Sequence, residues 1–425
     1  MLIPMDVTFP NMALVAQRLH SPQLDNPPEA IRAAIAQLGP EARMRPGMRV
    51  AVTAGSRGIN DIPLILSTVV RELRQRGAEP FIVPAMGSHG GATPEGQLAV
   101  LHTLGITEEV VGCPIHSSLE TVQLGETPDG VPVFIDRLAA EAEGIVVVNR
   151  IKAHTDFRGP VESGLMKMMT IGLGKHRGAL TAHRHAARLT YSVVVASIAR
   201  EVIRRAPLLF GLGLIENAYD QMAEVVAVWP EEIEKTEEGM LLRAKALMPR
   251  LPFHQLDILV VDEIGKDISG AGMDPNVIGR LPNTDGPQTL SIRRIFVRDL
   301  SSRSYGNGIG IGMADFTTQR FVDKFDRRPT YINALTSGST DKVSIPAVAQ
   351  TDREAIEWAF MTIGPVASQM SRVARIQNTL HLERFYASEA LREEVEANPA
   401  LEVLSEWAPM RFDADGGLQP ERVLK

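Results

Sequence analysis

Three loops, each placed just after an apolar run, carry residues able to do chemistry. The first is Thr53-Ala54-Gly55-Ser56-Arg57-Gly58, an arginine between glycines. Its planar guanidinium can clamp a carboxylate or phosphate, or it can simply be a solvated loop arginine. The second is Met86-Gly87-Ser88-His89-Gly90-Gly91. Glycines let the backbone approach a ligand closely, and His89 is a group that exchanges a proton near neutral pH; surface decoration is the plainer reading. The third runs from Asn149-Arg150-Ile151-Lys152-Ala153-His154 through Gly164-Leu165-Met166-Lys167 and Gly172-Leu173-Gly174-Lys175-His176-Arg177 to His183-Arg184-His185. Four of the ten histidines fall in this stretch, among several cations. The plain reading is an anion-binding basic patch, with metal binding by one or two histidines left open. Gly174-Lys175 is followed by His176 and not Ser or Thr, so a standard phosphate loop is out, and the alternating Gly306, Gly308, Gly310 and Gly312 miss the dinucleotide fingerprint. That alternating run reads as a flexible or closely packed loop. Neither His-Glu-x-x-His nor Gly-x-Ser-x-Gly occurs, which argues against a zinc hydrolase and a serine hydrolase.

The elements that must position these loops alternate. Met48–Thr53 and Pro80–Pro84 read as strands, and Ile145–Val148 as a strand buried on both faces. Asn60 and Asp61 are candidate caps for a helix with Pro63 at its start and Gly77 past its end, and Thr93-Pro94-Glu95 opens another that stops near Gly105. Strand, helix, strand, helix predicts parallel sheets covered by helices. After a charged helix over Glu231–Leu247, Pro249 and Pro252 mark a hinge, and a domain boundary is expected near residue 250. Beyond it Leu256–Val261 and Ile292–Val297 read as strands and Thr351–Met361 as a helix.

Composition narrows the classes further. The chain has 425 residues and a net charge of −7, the wrong sign for a protein built to neutralise phosphates, so no nucleic-acid partner is expected. The single cysteine, Cys113, excludes an internal disulfide framework. No secretory signal and no run of roughly 18–20 apolar residues is visible, so a cytoplasmic protein without membrane partners is expected.

Taken together, the loops resemble the lactate racemase family that uses a nickel-pincer nucleotide. The resemblance covers most of the chain, strongest from about residue 48 to 190, and rests on order and spacing. An arginine loop, a Gly-Thr-His loop, a histidine after the next buried strand, a glycine-flanked lysine and a further histidine are matched by Arg57, Gly87-Ser88-His89, His154, Lys167 and His183. The resemblance implies an α/β fold of two domains, each a mostly parallel sheet covered by helices, with the active site in the interdomain cleft. Residues 1–250 would form an N-terminal cofactor-binding domain and residues 251–425 a C-terminal substrate-binding and closing domain.

By the same resemblance Lys167 would tether the cofactor, nickel pyridinium-3,5-bisthiocarboxylic acid mononucleotide, as a thioamide. His183 would be the protein's nickel ligand, and cofactor-synthesis enzymes would be partners. His89 and His154 would trade the hydroxyl proton from opposite faces of a planar keto intermediate. Arg57 would hold the carboxylate or stabilise developing oxyanion charge, and Lys266, in Gly265-Lys266-Asp267-Ile268-Ser269-Gly270, would help bind substrate. The implied activity is racemisation or epimerisation of a 2-hydroxy acid by reversible hydride transfer. Ala54 replaces a common acidic residue, the His154-to-Lys167 stretch is a few residues longer than in the lactate enzymes, and Ala271–Asn276 departs from their substrate-binding segment. These departures imply a substrate larger or more polar than lactate. The alternative is an anion- or nucleotide-binding protein on the same scaffold without racemase activity.

Overall fold

β-Branched residues on both faces of a strand need apolar cover on both sides, and the run Ile145–Val148 finds it in the middle of a five-stranded sheet. A computed structural model describes residues 7–56, 58–280, 290–420 and 423. In chain order the strands are β1 (Asn11–Gln17), β2 (Arg49–Ala54), β3 (Glu79–Pro84), β4 (Thr121–Glu126), β5 (Pro132–Asp136), β6 (Gly144–Arg150), β7 (Leu208–Glu216) and β8 (Met222–Val228). They continue with β9 (Gln255–Val261), β10 (Ser291–Val297), β11 (Phe316–Thr318), β12 (Ala347–Ala349), β13 (Val373–Ile376), β14 (Arg384–Ser388) and β15 (Leu401–Val403). The chain divides into two compact units. One is His20–Met248; the other joins Met1–Leu19 to Pro249–Lys425.

In His20–Met248 the sheet order is β3-β2-β6-β7-β8, parallel except for the last pair. Alternation along β2 splits its side chains between two cores. Val50, Val52 and Ala54 pack under the helix Ile62–Gln75, while Ala51 joins Ile145, Val147, Leu165 and Ile198 on the other face. Thr93 caps the helix Pro94–Thr103 by accepting the Gly96 N–H at 3.0 Å. Asp61 stands at the expected cap of the helix Ile62–Gln75 but its side chain makes no capping bond, because its backbone is left-handed at φ 54. The neighbouring Asn60 N–H is taken instead by Glu216, at the end of β7, at 2.7 Å.

The other unit holds a sheet ordered β12-β11-β10-β9-β13-β14-β1-β15, parallel from β12 to β13 and antiparallel beyond. Residues up to Leu19, expected in the first domain, are built into this sheet: β1 pairs with β14 from Met12 opposite Ser388 to Ala16 opposite Arg384. The pairing partner lies nearly the whole chain away, where local pattern says nothing about it. Beyond the strand ends, buried Arg298 bridges Asp262 at 2.8 Å and Asp352, and Arg375 bonds Asp262 at 2.8 Å. The glycine run is closely packed: a Cβ at Gly308 would run into the Phe325 ring, and Gly310, at φ +100, faces the Ala271 carbonyl. Among the described residues no helix is long and apolar enough to cross a membrane.

Candidate functional site

Parallel strands deliver their following loops to one edge of the sheet, and ligands of such sheets bind where the strand order reverses. In His20–Met248 that reversal falls between β2 and β6, because β3 lies to one side of β2 and β6 to the other. A cavity of about 150 Å³ opens there, lined by Ser56 after β2, Met86 and His89 after β3, Arg150 and Lys152 at the end of β6, and Lys167. The Ser56 hydroxyl is hydrogen-bonded to His89 Nδ1, which orients the exposed imidazole. Arg150 forms an ion pair with Glu216.

Behind the cavity, His154 Nε2 lies 2.5 Å from Lys167 Nζ. His154 Nδ1 accepts the Asp156 N–H at 3.0 Å, which puts the proton of a neutral ring on Nε2. At that distance His154 and Lys167 are hydrogen-bond partners. The loop between them is closed by mutual backbone bonds of Lys152 and Ser163. Glu162, fully buried, fills it from within: its carboxylate accepts the His154 N–H at 2.7 Å and pairs with Lys245 at 2.6 Å and Arg158 at 3.3 Å. The segment between His154 and Lys167 is thus a support for His154.

Lys167 ends a single helical turn, Leu165–Lys167, that continues as a π-helical turn, Met168–Gly172. Such irregular turns recur at functional positions. The next helix, Lys175–Leu189, carries His183 and is bracketed by left-handed Lys175 (φ 53) and Thr190 (φ 71). Lys175 is fully buried, held by Asp136 at 2.9 Å, by Gln97 at 3.2 Å and by the Pro84 carbonyl. Gln97 in turn donates to the Gly87 carbonyl at 3.0 Å, so this lysine braces the His89 loop and does not reach for a ligand.

Burial, aided by the positive charge of Lys167, pushes His183 down to about 4, so its ring is neutral at pH 7. Its Nδ1 is buried without a hydrogen-bond partner, and so is the Tyr191 hydroxyl. Ring contacts join the two histidines: His154 to Phe157 at 4.4 Å, Phe157 stacked on Tyr191 at 5.5 Å, and Tyr191 edge-on to His183 at 5.2 Å.

The structure therefore brings together His89, His154 and Lys167, with His183 reached through Phe157 and Tyr191. Arg57 lies outside the described residues. Lys266 belongs to the other unit, where its ammonium donates to the Gly270 carbonyl at 2.8 Å and to Asn333 at 3.0 Å. His176 is exposed on the helix and joins no cluster. Local sequence pattern gives Ser56, Arg150 and Lys152 no role and does not single out Phe157, Glu162, Tyr191 or Glu237. The position of Ser56 beside Arg57 was the one available signal.

Fold and cavity define an α/β protein with a histidine- and lysine-bearing site at the strand-order reversal. Residues 11–192 match the lactate racemase N-terminal domain family. The fold is similar to that of the lactate racemase apoprotein from Thermoanaerobacterium thermosaccharolyticum, with a TM-score of 0.53 at 13% identity over 85% of this chain and 94% of that one. No curated protein sequence matches. The chain is lactate racemase-like in that N-terminal segment and in its fold.

The residues present fit the nickel-pincer nucleotide that this resemblance implies. A neutral, buried imidazole with an unpartnered nitrogen is the form in which histidine binds nickel, and an amine stands at the cavity wall. Among the described residues no three His, Cys, Asp or Glu gather around a metal.

Proposed function

We propose that this chain is a racemase or epimerase of a 2-hydroxy acid. The observation that carries the reading is the convergence of His89, Lys167 and, through its Nε2–Nζ contact, His154 on one cavity at the strand-order reversal. Lys167 would hold the nickel-pincer nucleotide covalently and His183 would ligate its nickel. When bound, the group supplies reversible hydride transfer at the hydroxyl-bearing carbon.

The chain's own residues do the rest. Lys152, at the cavity wall, supplies positive charge for the substrate carboxylate. His89, oriented through Nδ1 by Ser56, takes or returns the hydroxyl proton at Nε2. His154, which carries its proton on Nε2 when neutral, returns a proton from its own loop once Lys167 is engaged, and Glu162 keeps that loop in place. A changed pocket around these groups favours a 2-hydroxy acid other than lactate.

The test is expression together with cofactor-synthesis enzymes, followed by nickel analysis, intact mass and chiral assay of a panel of 2-hydroxy acids. Nickel bound near one per chain, a mass increment on Lys167 and loss of optical activity are expected, with all three abolished in Lys167→Ala. An unmodified, nickel-free chain under those conditions overturns the reading. The cations lining the cavity also favour a second reading, simple anion or nucleotide binding, in which Lys167→Ala leaves ligand affinity largely intact.

A further inference from the structure

We propose that Glu237 is a positioning residue for Lys167, a role that rests on the reading of Lys167 as the reactive amine. Glu237 comes from the helix Ile233–Leu247 and reaches the turn that carries the lysine. Its carboxylate accepts the Met166 N–H at 2.8 Å. From the other side the Asn149 amide donates to the Gly164 carbonyl at 2.8 Å. The peptide groups just before Lys167 are therefore gripped from two elements that are remote in sequence.

Three features set this apart from ordinary helix capping. Gly164, at the cap position, offers no side chain, so the acceptor is supplied from another helix. The fit is close: a Cβ at Gly164 would collide with the Glu237 carboxylate. And Glu237 is 1% exposed, one of its oxygens has no partner, and among the described residues no ion pair holds it. Burying a carboxylate in that way is costly, and what it accomplishes locally is to fix the turn from which Lys167 reaches His154 Nε2.

The experiment uses the metal-free chain and so does not depend on cofactor loading. Limiting N-hydroxysuccinimidyl acetate is reacted with the protein, and acetylation of Lys167 is compared by peptide mass with that of the exposed Lys324. Amide hydrogen exchange is followed at Met166. Glu237→Ala is expected to slow Lys167 acetylation relative to Lys324, and to speed exchange of that amide, by about tenfold each, the loss of a hydrogen bond to a charged group. Glu237→Gln keeps an acceptor oxygen and is expected to stay within about twofold of wild type on both readouts. Should Glu237→Ala fail to fold, Asn149→Ala releases the other grip and is expected to shift Lys167 acetylation in the same direction. Wild-type values in the alanine variants, or a glutamine variant as impaired as the alanine one, overturn the proposal. Loss of nickel binding with normal Lys167 positioning would instead count against the racemase reading alone.

Discussion

Two buried glutamates support the two members of the His154–Lys167 pair, and they are built differently. Glu162 accepts the His154 N–H and is shared by two cations, Lys245 and Arg158. Glu237 accepts the Met166 N–H and meets backbone only; burial raises it to about 7, against the lowering effect of the Met166 and Leu165 N–H groups. The neighbouring Glu234 carboxylate raises it further. One support is an ion-pair cluster that binds its loop to a distant helix. The other is a carboxyl whose charge is poorly compensated and that can take up a proton near neutrality. The contrast teaches that the same residue type, equally buried, fixes backbone by two routes with different sensitivities to charge and pH.

The sharpest way to break the comparison is Glu162→Ala. It leaves Lys245 and Arg158 facing each other across a buried void and takes the acceptor from His154. A loss of about 3 kcal/mol is expected, at the lower end for a broken buried pair because both cations are about a quarter exposed. A shift in urea midpoint reads it. A loss under about 1 kcal/mol would place Glu162 with ordinary surface pairs.

The pH dependence of Glu237 is comparable in size and opposite in logic. Its folded value, about 7, lies above the ordinary glutamate value of 4.5, so the folded state binds the proton more tightly. Stability from this group is complete at low pH and is lost as pH rises from about 4.5 through 7, by on the order of 3 kcal/mol. Glu237→Gln should remove that slope and be more stable than wild type at pH 8. Identical slopes in unfolding series from pH 5 to 8 would refute it.

The smallest effect concerns a group outside both supports. Tyr191→Phe deletes a buried hydroxyl that has no partner, and is expected to leave stability unchanged or raise it by about 1 kcal/mol in the metal-free chain. A loss beyond about 1 kcal/mol, read as a fall in thermal midpoint, would mean that the hydroxyl is bonded through water.

What could be read without a structure had local causes. β6 announced itself because a strand covered on both faces needs apolar residues at consecutive positions, and the helices Ile62–Gln75 and Pro94–Thr103 because prolines at their starts mark where a helix begins. The order Arg57, His89, His154, Lys167, His183 was legible through the resemblance to the lactate racemase family, whose motifs follow one another in that order. Glu237 was invisible because it sits in a helix rich in charge, where a glutamate reads as solvated, and only the packing of that helix over Gly164 buries it. The same holds for β1, whose partner strand is more than 350 residues away.

By itself, then, the sequence determined the alternation of elements and the residue types that arrive at the cavity, because both follow from periodicity and neighbouring residues. Tertiary structure alone decided which imidazole meets the amine, which carboxylate stands behind each loop, and that Lys175 is a brace. Those outcomes depend on contacts between distant segments, whose closeness no stretch of chain encodes on its own.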